Sequence, residues 1–202
     1  MIEKGTAIKK ALESSMTWEK YLTLITDLHL EEKATSFQDN EEFYKYSVLG
    51  LSRMKRVFKK IDLTESLIQK VKSIDTPQTW MLITESWCGD ASQTVPIIAR
   101  LAEENEHIHL HIVLRDSHPE LMEHFLTNGG KSIPILGILD AQNEEIGRWG
   151  PRPSVAQKML MDYKAIPEIE RPPYGDFSLS LQKWYNADKG LSTMSELEAQ
   201  IP

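Results

Sequence analysis

Cysteine is almost missing from this chain. Cys88 is the only one in 202 residues, so no disulfide can close within the chain, and a reducing, cytoplasmic compartment is the expectation. Long apolar runs are missing as well. No stretch approaches the roughly 20 residues that a membrane-spanning helix needs, and the opening segment MIEKGTAIKKALESS lacks the apolar centre of a secretory signal. Positive charge is in deficit: 23 Lys and Arg against 30 Asp and Glu give a net charge of −7, which argues against a nucleic-acid partner. Glycine is sparse and never spaced to cradle a phosphate; the Gly129-Gly130 pair reads as the end of a helix. What is present is an ordinary globular composition, 41% hydrophobic and 26% charged, long enough for one well-cored domain with appendages and short for two.

Residues 1–76 read as an N-terminal helical extension. Trp18, Tyr21, Leu22, Ile25, Leu28 and His29 fall on one stripe of a 3.6-residue period, and Phe43, Leu51, Met54, Phe58 and Ile61 on another. Asp62 and Glu65 suggest a capping box for a short helix through Ile74. Arg53, Lys55, Arg56, Lys59 and Lys60 form a solvated basic face, with an anionic partner as the alternative.

From Gln78 the pattern changes. TWMLITESW is a β-branched and aromatic run suited to a strand buried on both faces. A helix follows with Val95, Ile98, Ala99 and Leu101 on its apolar side, then a second strand, HIHLHIVLRD. Ser117 and Glu120 suggest a capping box for a helix with Pro119 in its first turn, running through Leu121, Met122 and Phe125 towards Gly129. SIPILGILD and EEIGRWG form a hairpin around Ala141 to Asn143, and SVAQKMLMDYK closes the unit as a helix. The order predicts an α/β fold, a mixed central sheet flanked by helices, over residues 77–165. Residues 166–202 read as a linker and C-terminal helical tail, with Trp184 and Tyr185 as anchors.

Four elements of this region occur in register: the dipeptide Trp87-Cys88 within WCGD, Pro96 eight residues after the cysteine, SIP ending at Pro134, and Gly150 in RWGP. On these residues the chain resembles the thioredoxin superfamily, and more closely the bacterial thioredoxin-like proteins of WCGD type that carry a helical N-terminal extension. The resemblance implies a thioredoxin-like fold with Cys88 as the nucleophile. Pro134, in cis, would leave the Ile133 backbone free to pair with an extended substrate, while Trp87, Gly89, Asp90 and Gly150 would shape the substrate-binding rim. A cysteine at a helix start sits near the positive end of the macrodipole, which favours thiolate, whereas the Asp90 carboxylate opposes it, so moderate activation is expected.

Two departures from the family pattern narrow the chemistry. Ala91 stands where a resolving cysteine would be, and Leu82 where the buried acid of thioredoxins would be, with Glu85 the nearest acid. Without a second sulfur a mixed disulfide cannot be released from within the chain. The resemblance then implies a monothiol thiol–disulfide oxidoreductase acting on protein mixed disulfides or S-thiolated substrates in redox homeostasis. It would use a low-molecular-weight thiol as co-substrate and no bound cofactor. Lys131, Arg148 and Arg152 are candidates to hold that thiol's carboxylates. The alternative is a catalytically inactive thioredoxin-fold module or redox sensor that binds extended polypeptide segments. No metal site is expected, because His107, His109 and His111 alternate on one strand face with no third ligand pattern beside them. A peroxidase is disfavoured, since Glu85 occupies the position where that chemistry wants a threonine. Oligomeric state is not legible.

Overall fold

The chain builds its sheet only after a run of helices. The computed structural model describes residues 2–36 and 40–202. Helices α1 (Lys4–Glu13), α2 (Trp18–Leu30), α3 (Glu41–Lys60) and α4 (Glu65–Lys72) precede strand β1 (Gln78–Thr84). Helix α5 (Ala91–Ala102), β2 (Ile108–Leu114), the single turn α6 (Pro119–Met122), β3 (Ile135–Leu139), β4 (Glu145–Trp149) and α7 (Ser154–Ala165) follow. Two further helices, α8 (Tyr174–Asp188) and α9 (Leu191–Gln200), end the fold, joined by two consecutive left-handed residues, Lys189 and Gly190.

The strand order is β2-β1-β3-β4, with β1 parallel to β2 and antiparallel to β3, and β3 antiparallel to β4. The mixed sheet with helices on both faces is the expected α/β architecture. Its register positions the site. Ile83 pairs with Ile135, so the chain leaving β1 towards Cys88 and the chain entering β3 from Pro134 meet at the same end of the sheet.

Strand β1 alternates between two apolar cores. Trp80 and Leu82 face the larger, formed with α2 to α5 and α9. Met81 and Ile83 face the smaller, formed with Ile8 and Ala11 of α1 and with Leu121, Met122 and Phe125. All four β1 side chains are fully buried, each contributing about 1.5–3 kcal/mol of transfer free energy. A third cluster, around Ala156, Phe177, Leu181 and Tyr185, joins α7 to α8. Cys88 touches both sheet cores.

Side-chain caps mark two of the helix starts among the described residues. Asn40 caps α3 by accepting from the Glu42 and Phe43 N–H groups, and Thr17 caps α2 by accepting from Lys20. Two capping boxes do not form as read. Helix α4 starts at Glu65, one residue after Thr64, which makes no side-chain cap bond. Helix α6 is preceded by His118 rather than Ser117 and ends at Met122, so Phe125 is buried without being helical. The segment before α2 lies along the outer strand: Met16 and Ile112 exchange both backbone hydrogen bonds, at 2.9 and 2.8 Å. Helix α3 lies so close to the β1–α5 loop that a Cβ at Gly50 would sit 2.8 Å from the Ser86 carbonyl oxygen. No helix among the described residues is long and apolar enough to cross a membrane.

Candidate functional site

Cys88 lies in the loop between β1 and α5, two residues before Asp90, which stands at the N-cap of α5. Its N–H donates to the Glu85 carbonyl at 3.2 Å. Its thiol faces the Ile133 carbonyl oxygen at 3.3 Å, and its sulfur accepts from the Ala91 N–H at 3.5 Å. The Ile133–Pro134 bond next to it is cis. Gly150 closes the same corner. It adopts φ +118°, and a Cβ there would fall 2.2 Å from the Pro134 carbonyl oxygen, so only glycine fits.

The electrostatics correct one expectation. The Cys88 thiol is not activated; its pKa is raised from 9.0 to about 12. Burial is the main cause and the Asp90 carboxylate the second, outweighing the Ala91 and Asp90 N–H groups and the Arg152 guanidinium, which act the other way. Asp90 occupies the helix N-cap position, but its carboxylate makes no cap hydrogen bond and leaves the Ala91 N–H to the sulfur. It is 6% exposed and fully engaged. Arg152 donates to its Oδ2 from Nε at 2.9 Å and from Nη2 at 2.6 Å, and the Tyr185 hydroxyl donates to its Oδ1 at 2.7 Å.

The C-terminal tail therefore reaches the site. Besides Tyr185, α8 supplies Gln182, whose amide donates to the Gly89 carbonyl at 3.1 Å and accepts from Gln93 at 2.7 Å. The N-terminal extension reaches it from another side. Phe43 stacks on Trp87 with ring centroids 4.4 Å apart and planes 9° from parallel, and the Trp87 indole donates to the Thr35 carbonyl at 3.2 Å. The Arg115 guanidinium lies 4.8 Å from the Trp87 ring centre.

The three cations proposed for a small thiol all have carboxylate partners. Lys131 pairs with Glu123 at 2.9 Å, Arg148 with Glu145 at 2.8 Å, and Arg152 with Asp90. Arg148 also lies over the Phe125 ring. Arg152 is the one of the three whose charge acts on Cys88.

A polar cluster behind the loop escaped the sequence reading. Glu85, 1% exposed, accepts from the Asp116 N–H at 2.9 Å and from the Thr35 hydroxyl. Thr35 accepts in turn from the Ser86 N–H at 2.8 Å, the Ser47 hydroxyl donates to Ser86 Oγ at 2.7 Å, and His29 hydrogen-bonds Ser47 at 2.9 Å. Burial raises the Glu85 carboxyl from 4.5 to about 7 against the pull of these hydrogen bonds. A glutamate ending a strand of apolar residues was the available signal. Thr35, Ser47 and Ser86 carried none, because their contacts span 39 and 51 residues of chain.

Comparison with known proteins agrees with this architecture. A family model described as thioredoxin matches residues 36–164, so the match takes in α3 and α4 as well as the sheet. No curated protein matches the chain. Among solved structures, an HIV epitope-scaffold is 14% identical, covers 91% of this chain and 96% of its own, and superposes with a TM-score of 0.54. A protein of unknown function from Pseudomonas aeruginosa is 19% identical over 67% of this chain and 84% of its own, with a TM-score of 0.48. The family match spans well over half of the chain and includes both Cys88 and Pro134: this protein belongs to the thioredoxin family.

Proposed function

We propose that the protein is a monothiol thiol–disulfide oxidoreductase in which Cys88 is the reacting group. The observation that carries this reading is the position of its sulfur, 3.3 Å from the Ile133 carbonyl and beside the Ile133–Pro134 bond, at a corner that Gly150 closes. Ionised Cys88 attacks one sulfur of a protein mixed disulfide. A Cys88–small-thiol disulfide forms, and the protein thiolate leaves and takes up a proton. A second molecule of small thiol then attacks the Cys88 adduct, regenerating the cysteine and releasing the small-molecule disulfide. An extended polypeptide pairs with the Ile133 backbone on this rim, bounded by Trp87, Gly89 and Asp90. To hold the incoming thiol's carboxylate, the Arg152 guanidinium is shared between that group and Asp90.

The raised thiol pKa favours a second reading, a binding module or redox sensor that holds extended segments in the same groove without turnover. Intact-mass analysis after exposure to oxidised glutathione, with reversal by reduced glutathione, separates the two. A single adduct on Cys88 that forms and reverses within minutes supports the oxidoreductase. Failure to form it, or an adduct that persists in excess thiol, overturns that reading in favour of the module.

A further inference from the structure

A cavity of about 860 Å³ opens between the end of α3, the start of α4, the middle of α5 and the α8–α9 turn. This size lies within the roughly 300–1,000 Å³ of small-molecule sites. Its floor is apolar: Val57, Ile61, Leu63 and Ile97, with Leu191 at the mouth, 57% exposed and uncovered. Gly190 keeps the floor open at the turn. At φ +81°, a Cβ there would come within 2.7 Å of the Ile97 side chain.

The rim carries charge. Arg56, Lys60 and Lys189 stand against Asp62 and Glu65, leaving one net positive charge around an apolar floor. None of the three cations is in a salt bridge among the described residues. Arg56 donates only to the neutral amide of Asn186, at 2.9 Å, and Glu65 is already hydrogen-bonded by Gln69 at 2.7 Å. Arg56 and Lys60 belong to the basic face of α3 that the sequence left without a partner. A polyphosphate would meet the two carboxylates, and a neutral lipid would leave the cations unpaired. A single acid group on an apolar body satisfies both parts of the cavity.

We propose that this cavity is a binding site for an amphipathic monocarboxylate, its acyl or aryl body over Ile61, Ile97 and Leu191 and its carboxylate among Arg56, Lys60 and Lys189. The site is separate from Cys88 and does not depend on the redox reading. The two share a wall only through Tyr185 and Gln93, which line the cavity and connect to Asp90 and, through Gln182, to Gly89.

Isothermal titration calorimetry of the full chain with decanoate, below its micelle concentration, tests this. One saturable site is expected, with decanol and butyrate binding at least tenfold more weakly. Replacing Lys60→Glu together with Lys189→Glu, both at exposed positions, weakens decanoate at least tenfold, and Cys88→Ser leaves it unchanged. Leu191→Glu repeats the test if circular dichroism shows the double variant unfolded. The proposal is overturned by absent or non-saturating heat, by equal binding of decanol, by charge-reversed protein that binds like wild type, or by loss of binding with Cys88→Ser.

Discussion

Arg152 and Asp90 are joined through a single carboxylate oxygen: the guanidinium places Nε at 2.9 Å and Nη2 at 2.6 Å from Asp90 Oδ2. The pair brings together two residues on either side of the sheet strands β2 to β4, and it stands next to the one sulfur in the molecule's only cysteine. The two charges oppose one another at Cys88: the Arg152 guanidinium favours the thiolate, and the carboxylate of its partner favours the protonated thiol.

Asp90→Asn removes the second cause of the raised thiol pKa and frees Arg152, which acts in the opposite direction. Alkylation of Cys88 by iodoacetamide at pH 8 is expected to speed up at least about fivefold, because rate follows the thiolate fraction. The variant also strands a largely buried guanidinium, at a cost of about 3 kcal/mol measured by urea unfolding. An unchanged alkylation rate in folded Asp90→Asn protein would leave burial as the sole cause.

Glu85 makes stability depend on pH in the sense opposite to an ordinary paired carboxylate. Its pKa is raised from 4.5 to about 7 by burial, so the folded chain keeps a proton that the unfolded chain releases. The contribution is complete below the unfolded value and is lost as pH rises through the folded one, up to about 3 kcal/mol between pH 4.5 and 7. Histidines 29, 111 and 118, whose pKa values are lowered chiefly by burial, act in the other direction over the same range. The difference between wild type and Glu85→Gln isolates the Glu85 contribution: relative to the variant, wild type should lose stability in urea melts from pH 5 to pH 8.

Gly150→Ala should be among the most damaging single-methyl changes in the chain. Its Cβ would meet the Pro134 carbonyl oxygen at 2.2 Å, and φ +118° disfavours any side chain. A loss of more than about 3 kcal/mol is expected in chemical denaturation, whereas Gly5→Ala, where nothing lies within 4 Å, should be neutral or stabilising.

The parts of the fold that were legible are those written in neighbouring residues. TWMLIT showed no alternation between apolar and polar, and β1 is buried on both faces; the turn after Leu139 places Asn143 at φ 64°, a conformation asparagine tolerates. The motif positions Cys88, Pro134 and Gly150 converge on one corner because strand register brings Ile83 opposite Ile135. What escaped was side-chain pairing over distance. The sequence places Asp90 beside the thiol, and nothing local reveals that Arg152 and Tyr185 hold it from 62 and 95 residues away. The expected thiol activation fails chiefly because the sulfur is buried, and the Asp90 carboxylate adds to that cause.

The backbone exchange between Met16 and Ile112 bears on behaviour in concentrated solution. Strand β2 forms one border of the sheet, and a bare border offers a ladder onto which a strand of another molecule can add. The residues just ahead of α2 occupy that ladder near its middle, helped by Ser15, which hydrogen-bonds His111 at 2.7 Å. The stretch that looks like a spacer between two helices is thus a stopper against fibril-like growth, a task unrelated to sulfur chemistry and one that a chain trimmed to its sheet-forming part would forfeit.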